Sequence, residues 1–283
     1  MGLALKRILL ASAALSVLGA PATAADLYVK APPAHAPSYW TGFYAGINAG
    51  YADEQSTFTT SANGTPDTVL GVPAGVSQGL ATLSSGRITT NNGMGFIGGG
   101  QIGYNLQLSP LWVVGLEADI QGKTGSSDGS IAAGQIVTPA FPVPITSVQT
   151  ASVSTDWLGT VRGRFGLLLT PAWYVYFTGG LAYGGSSAST TLFQSGTNGF
   201  VGTGGGNISA TRIGGTFGAG LEWMFARNWS AKAEYLFYDL GTASISYGPT
   251  SGFFAVPGLP YQTVTNSVHF EGNIARAGIN YHF

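Results

Sequence analysis

The segment Trp112-Val113-Val114-Gly115-Leu116-Glu117-Ala118-Asp119-Ile120-Gln121 decides how this sequence folds. One side of it carries only apolar side chains, those of Trp112, Val114, Leu116, Ala118 and Ile120. The other side carries polar ones, those of Glu117, Asp119 and Gln121. Because successive side chains of a strand point to opposite faces, this alternation predicts a β-strand with one apolar and one polar face.

The same alternation recurs along the chain. Four segments place charged residues on their polar side: 155–168 carries Arg162 and Arg164, 211–224 carries Arg212 and Glu222, 229–239 carries Lys232 and Glu234, and 270–283 carries Arg276. Segments 41–51, 94–106 and 173–183 also alternate and, with 111–121, complete a set of eight predicted strands.

The connections between these strands predict the topology. Three are short, at 107–110, 169–172 and 225–228. They alternate with four long ones that are rich in Gly, Ser, Thr and Asn, at 52–93, 122–154, 184–210 and 240–269. Bacterial barrels show this pattern, with tight periplasmic turns and longer outer loops. We therefore predict an all-β fold, an eight-stranded antiparallel transmembrane β-barrel with both termini in the periplasm.

Composition agrees with an exported membrane protein. Charged residues make up only 8% of the 283 residues, against roughly a quarter in soluble domains. A hydrophobic fraction of 45% argues against disorder, and a net charge of −1 argues against nucleic-acid binding. The absence of cysteine excludes disulfides and thiolate-ligated metals. No cofactor, metal site or catalytic set is predicted.

The N-terminal region predicts export. Lys6 and Arg7 precede a short apolar run at 8–18, and Ala22-Thr23-Ala24 fits a cleavage site. Residues 1–24 are therefore a predicted signal peptide. Residues 25–38 contain three prolines and form a predicted periplasmic tail, and residues 39–283 form the predicted barrel domain.

Tryptophan placement gives an independent indication. Only Trp157 falls at an outer strand end, whereas five others fall at the predicted periplasmic ends: Trp40, Trp112, Trp173, Trp223 and Trp229. Aromatic girdles of this kind form at the membrane interfaces of barrels. We predict that these five residues form an interfacial belt.

The nine charges on the polar sides are predicted to point into the lumen. They are Glu117, Asp119, Arg162, Arg164, Arg212, Glu222, Lys232, Glu234 and Arg276. The interior of an eight-stranded barrel is just wide enough for side chains, and unpaired charges there are costly. We favour a packed polar plug over a continuous ion pathway, and a catalytic use of these groups is the least favoured reading.

Three stretches resemble a known family. They are Ala24-Ala25-Asp26-Leu27 followed by Trp40–Gly46, the Gly-rich segment Phe96–Asn105, and the ending Arg276–Phe283. This combination is similar to the small outer-membrane β-barrel proteins of α-proteobacteria, often called outer-membrane immunogenic or porin-like proteins. The resemblance implies an outer-membrane location and a role in envelope integrity and surface exposure. It also implies that Ile279, Tyr281 and Phe283 are an assembly signal for the barrel-insertion machinery.

Two functional classes follow. The first is a structural and surface-interaction protein, whose partners are outer-membrane lipid, lipopolysaccharide and an unidentified extracellular ligand at the loops. The alternative is a narrow porin-like channel for ions or small solutes. A haem-binding surface protein, known among relatives, has no motif that carries over here, and an outer-membrane enzyme is disfavoured because the chain has only three histidines.

Overall fold

The computed structural model describes residues 40–92, 95–138, 141–254 and 258–283. The predicted signal peptide and tail lie outside these residues. The described chain forms ten strands and two helices: β1 Gly42–Gly64, α1 Asp67–Leu70, α2 Val76–Ser84, β2 Gly86–Asn92, β3 Gly95–Gln107, β4 Trp112–Lys123, β5 Ser127–Thr138, β6 Phe141–Thr170, β7 Trp173–Gly196, β8 Val201–Ala226, β9 Trp229–Tyr247 and β10 Gln262–His282.

The strands close into an antiparallel barrel at one end. The first and last strands pair with each other, for example Tyr44 with His282. The remaining pairings run from β1 through β3, β4, β6, β7, β8 and β9 to β10. This end carries the short connections after β3, β6 and β8, and we call it the turn end. The opposite end is called the loop end.

The strand count differs from the prediction. The described residues contain ten strands, not eight, and most strands run far into the ranges expected to be loops. β2 lies in the predicted loop 52–93 and β5 in the predicted loop 122–154. A membrane-spanning strand needs about 9–11 residues, whereas β1 has 23 and β6 has 30. The barrel wall therefore continues well beyond a membrane-spanning height.

Towards the loop end the wall divides into two four-stranded parts, which we call sheets and which stay joined where β2 pairs with β5. One sheet contains β5, β6, β7 and β8, and the other contains β2, β1, β10 and β9. β8 and β9 pair only as far as Gly215 and Asp239. Between β2 and β5, two residue pairs are formed in the described chain, Asn91 with Asp128 and Asn92 with Ser127. The two sheets face each other like the layers of a sandwich.

An apolar core fills the space between these two sheets. Its members lie on the inward positions of both sheets and include Phe58, Ile88, Val153, Ile245 and Phe270. Burying such side chains contributes roughly 1.5–3 kcal/mol each. The loop end is therefore held together by packing where strand pairing is absent.

Helix α2 closes the loop end. Val76, Leu80 and Leu83 on its inner side pack against Phe200 and Tyr261. The side chain of Gln194 on β7 donates to the carbonyl of Leu80, at 3.0 Å. α2 thus caps the sandwich core in the mouth of the barrel.

The outer surface changes character along the strands. From the turn end to about the level of Tyr51, Ile120 and Ile213, most of its large side chains are apolar and exposed. Farther along, Ser and Thr take most outward positions and pair across strands, for example Thr150 with Thr191 at 2.6 Å and Ser154 with Ser187 at 2.8 Å. On β1 the apolar stretch runs from Phe43 to Tyr51, which matches the 9–11 residues of about one membrane crossing. We call this surface the apolar band.

Candidate functional site

A cluster of charged side chains fills the lumen inside the apolar band. It contains Glu117 and Asp119 of β4, Arg162 and Arg164 of β6, Glu222 of β8, Lys232 and Glu234 of β9, and Arg276 of β10. In the ion pairs of this cluster every side chain has 0% exposed surface. Its four cations balance its four anions, so the group is formally neutral. We call it the charge cluster.

Glu117 is the centre of the charge cluster. Its Oε1 lies 2.5 Å from Nη2 of Arg162 and 2.8 Å from Nζ of Lys232. Its Oε2 accepts a hydrogen bond from the hydroxyl of Tyr44 at 2.7 Å, and Nη1 of Arg164 lies 3.4 Å away. One carboxylate therefore holds together side chains from β1, β6 and β9.

Arg276 connects the two carboxylates on the loop-end side of the charge cluster. Its Nη2 lies 2.6 Å from Glu234 Oε2 and 2.8 Å from Asp119 Oδ2, and its Nη1 donates to Gln121 Oε1 at 2.9 Å. Glu234 Oε1 also accepts from Nη1 of Arg162 at 2.9 Å. Charge-assisted bonds of this kind are the strong class of hydrogen bond, and they offset the cost of burying the ions.

Aromatic rings close the charge cluster on its turn-end side. The guanidinium of Arg164 lies 3.9 Å from the centre of the Tyr176 ring and donates to Glu222 Oε2 at 2.5 Å. Below it, Trp40 packs on Tyr174, with ring centres 5.3 Å apart. Trp40 is 1% exposed and its Nε1 donates to the carbonyl of Pro171. The prediction that Trp40 joins a lipid-facing belt is therefore wrong, since this ring seals the lumen instead.

The other four belt residues lie on the outer surface at the turn end. Trp112, Trp223 and Trp229 are each 39–45% exposed, and Trp173 stacks on Trp223 with ring centres 5.5 Å apart. The predicted assembly-signal residues face outward beside them, with Ile279, Tyr281 and Phe283 exposed by 46%, 37% and 76%.

Arg212 does not join the charge cluster, contrary to the sequence-based expectation. It lies on β8 beyond the point where pairing with β9 stops. Its Nε donates to the carbonyl of Leu240 at 3.3 Å, its Nη2 donates to the carbonyl of Thr242, and its guanidinium lies 5.0 Å from the Phe270 ring centre. Arg212 thus bonds to two β9 carbonyls at a level where β8 and β9 no longer pair.

Sequence reasoning missed a second buried ion pair. Nζ of Lys123 lies 2.5 Å from Glu54 Oε2, and Thr155 donates to Glu54 Oε1 at 2.6 Å. Both charged residues fall in ranges that were expected to be loops. The alternation of the strands could have revealed this pair. Glu54 is separated from the inward Tyr44 by an even number of residues, and so is Lys123 from the inward Glu117, Asp119 and Gln121, so both side chains point inward.

The fold and this site together define a class of protein. A barrel that is closed at one end, with a broad apolar band outside and a paired polar interior, is the architecture of a membrane-spanning β-barrel. Within the described residues, no helix is long and apolar enough to cross a membrane.

Comparison with known proteins gives the family. Residues 10–283 match the family described as outer membrane protein beta-barrel domain. The 31 kDa outer-membrane immunogenic proteins of Brucella melitensis and Brucella suis are each 36% identical over 258 residues, covering 85% of this chain and 90% of the relative. The chain therefore belongs to the outer-membrane β-barrel family of Gram-negative bacteria, in agreement with the resemblance seen in its motifs.

Among solved structures, the outer membrane protein OprG from Pseudomonas aeruginosa was aligned with this chain. It is 12% identical, with a TM-score of 0.39, over 86% of this chain and 97% of that chain. The family assignment therefore rests on the sequence matches.

Proposed function

We propose that this protein is a structural barrel that crosses the outer membrane with eight strands, keeps a closed lumen and presents its loop end at the cell surface. The observation that carries the closed lumen is the neutral charge cluster, whose paired side chains have no exposed surface. An ion pathway needs polar groups that meet water, and these groups meet one another instead. The role is envelope integrity and surface interaction, without enzymatic activity.

The proposed orientation has its own support. The short connections and both ends of the barrel domain lie at the turn end, and the long connections lie at the other. In bacterial barrels the short turns face the periplasm. The Brucella relatives are named immunogenic proteins, which suits surface exposure. The hydroxyl-rich outer surface beyond the apolar band would then face the sugars of lipopolysaccharide.

Conductance measurement tests the closed lumen. We expect the refolded protein to give no steady ion current in a planar bilayer under conditions in which a known porin conducts. A steady single-channel current would overturn the structural role in favour of the narrow-channel alternative.

Labelling of single cysteines tests the orientation, because the natural chain has no cysteine. Ala74→Cys lies in the exposed segment before α2, and Arg227→Cys lies in the exposed turn between β8 and β9. We expect a membrane-impermeant maleimide to label Ala74→Cys on intact cells and Arg227→Cys only after the outer membrane is opened. The reverse pattern would place the loop end in the periplasm.

A further inference from the structure

Beyond Gly215 and Asp239, the edges of β8 and β9 that face each other across a gap are both unpaired. Beyond Gly215, β8 pairs only with β7, up to Ser195 with Val201. β9 continues to Tyr247 but pairs there only with β10. A single isolated bridge, Thr203 with Thr250, joins the far end of β8 to the chain after β9. An edge of β8 therefore lies unpaired between Thr203 and Gly215.

The isolated bridge shows which backbone groups face the gap. The N–H and the carbonyl of Thr203 both bond to Thr250, at 3.1 and 3.0 Å. Because backbone groups alternate sides along a strand, every second residue from Thr203 directs both groups to the same side. These residues are Gly205, Asn207, Ser209 and Thr211, and all four are exposed. Among the described residues no backbone or side-chain group bonds to them on that side.

β9 makes other contacts and does not fill this edge. Arg212 already occupies the carbonyls of Leu240 and Thr242 that would face β8. The chain after β9 packs against the inner face of β8, where a Cβ on Gly204 would lie 2.8 Å from Cα of Pro249. The last residues of β9 pack there too, since a Cβ on Gly206 would lie 2.6 Å from Cγ2 of Ile245. The glycines thus let the chain pack behind β8 while the edge stays open.

A groove of about 510 Å³ lies at the foot of the gap. Ile213, Phe217 and Phe237, which lie at the loop-end border of the apolar band, give it an apolar floor, and Asp239 lies at its rim. Glu271 pairs directly with Asp239 across β9 and β10, and Nε2 of His269 lies 3.5 Å from both carboxylates. An apolar floor with a carboxylate rim fits a lysine or arginine side chain, whose stem is apolar and whose tip is cationic.

We propose that the β8 edge from Gly205 to Thr211 binds an extended peptide strand of a partner protein, with a basic side chain in the groove at Asp239. Free backbone groups at a strand edge are a template for strand addition, and a pocket at one end gives specificity. An antiparallel peptide places its N-terminal residue at the groove, since β8 runs towards Gly215. The inference rests on the proposed function only for the side of the membrane on which the partner lies.

A second copy of this chain fits the edge less well. Copies in one membrane present β8 in the same direction, so β8 of one copy cannot pair antiparallel with β8 of the other about an axis normal to the membrane. The edge of β9 does run antiparallel to β8, but in each copy Arg212 already bonds to its carbonyls at Leu240 and Thr242. We therefore assign the β8 edge to a separate, extended segment. A dimer of the purified protein that Ser209→Pro dissociates would overturn this assignment.

Amide hydrogen exchange, followed by NMR on the full chain in detergent micelles, tests the open edge first. We expect the amides of Asn207, Ser209 and Thr211 to exchange fast, and those of Ile208 and Ala210, which face β7, to exchange slowly. Equal protection of both sets would show that the gap is closed and would overturn the proposal. This result is independent of conductance and of orientation.

Peptide binding tests the docking itself. The probe is a fluorescent peptide Lys-Thr-Val-Thr-Val-Thr-Val, and its matched control carries N-methyl groups on alternate amides. We expect the probe to bind and to slow exchange at Asn207, Ser209 and Thr211, and the control not to bind. Equal binding of the two peptides would overturn strand addition.

Two variants locate the site. Ser209→Pro removes an N–H that faces the gap and leaves the β7 pairing intact, and we expect about tenfold weaker binding, equivalent to one hydrogen bond. Ser209→Ala keeps that N–H and should bind as the natural chain does. Asp239→Asn should weaken the lysine probe but not a probe with norleucine in its place. Binding that is unchanged in Ser209→Pro, in a sample that still shows the folded gel mobility, would place the peptide elsewhere.

Discussion

Replacing Glu117 by glutamine leaves the charge cluster with four cations and three anions. Arg162 Nη2 and Lys232 Nζ, which lie 2.5 and 2.8 Å from Glu117 Oε1, then lose their anionic partner. The side chains of all three residues have no exposed surface. Removing one partner of a buried pair costs about 3–5 kcal/mol, because the other charge stays bare. Glutamine has nearly the same volume as glutamate, so no cavity adds to this loss. We expect Glu117→Gln to lower the free energy of unfolding by that amount.

A compensating change separates charge balance from general damage. Lys232→Met alone removes a cation whose two shortest contacts both go to Glu117, at 2.8 and 2.9 Å, so it should be costly as well. In the double variant of Glu117→Gln and Lys232→Met the charge cluster is neutral again. We expect this variant to be about 1–3 kcal/mol more stable than the sum of the two single losses predicts. The assay is urea unfolding and refolding in lipid vesicles, followed by tryptophan fluorescence and gel mobility.

A matched pair of variants serves as the control. Lys123 pairs with Glu54 and lies six residues along β4 from Glu117, about 20 Å away at the usual rise of a strand. Glu117→Gln and Lys123→Met should therefore have additive effects. Additive losses for Glu117→Gln and Lys232→Met as well would refute the reasoning, because they would show that the two charges do not compensate each other.

Three further outcomes are expected. Ala219→Arg places a charge on the apolar band and should cost about 2–4 kcal/mol of barrel stability, whereas Ser187→Arg, beyond the band, should cost little; equal costs would refute the assignment of faces. Partial burial alone would raise the pKa of Asp67, but hydrogen bonds from Ser77, and one from the N–H of Gly75, hold this pKa below its usual range. Ionised Asp67 should therefore protect the amides of Gly75 and Ser77 from hydrogen exchange at neutral pH, and this protection should be lost as the pH falls through the lowered pKa. Protection at these two amides that does not change with acid would contradict this. Deletion of Phe283 should strongly reduce the barrel found in cells but leave refolding in detergent nearly normal, and an unchanged cellular level would remove the assembly-signal interpretation.

Period-two patterning predicted the part of the barrel near the turn end. There each face meets a uniform environment, lipid outside and paired charges inside, so the alternation in segments such as 112–121 is strong. Glu117 and Arg162 were both predicted to point inward, and they meet at 2.5 Å. The positions of the turns could also be predicted, because 171–172 and 227–228 are two-residue connections between strongly alternating segments.

Beyond the apolar band the signal fails for a physical reason. The outward positions carry Ser and Thr and the inward ones often carry Gly, Ser or Ala, so the difference in hydropathy between the two faces is small. The stretch 201–210, Val-Gly-Thr-Gly-Gly-Gly-Asn-Ile-Ser-Ala, is typical of a loop by composition, yet it belongs to β8. Such a stretch can be a strand because β7 supplies a full ladder beside it. That 201–210 is a strand therefore depends on its pairing with β7, which the segment's own sequence does not indicate.

Single residues were misplaced where tertiary contacts decide. Trp40 is of the residue type found in interfacial belts, but it precedes the first strand and no alternation sets its direction. Its ring packs against Tyr174 and His282 instead. Arg212 has inward parity, but the missing ladder beside it offers two carbonyls nearby. The local sequence indicates neither the space for Trp40 at the turn end of the lumen nor the end of pairing between β8 and β9.

The composition of the charge cluster constrains the order in which the barrel can form. Its charges come from β4, β6, β8, β9 and β10, and Glu117 and Lys232, which bond directly, are separated by 115 residues. A sheet that lacked only its last strand would hold Asp119 and Glu234 without Arg276, and a charge in that state is costly in a hydrocarbon environment. Partly built sheets are therefore poor membrane proteins, and the final pairing of β10 with β1 both closes the edge and completes electrical neutrality. We therefore expect membrane entry and barrel closure to be coupled, so that partly built sheets do not accumulate in the bilayer.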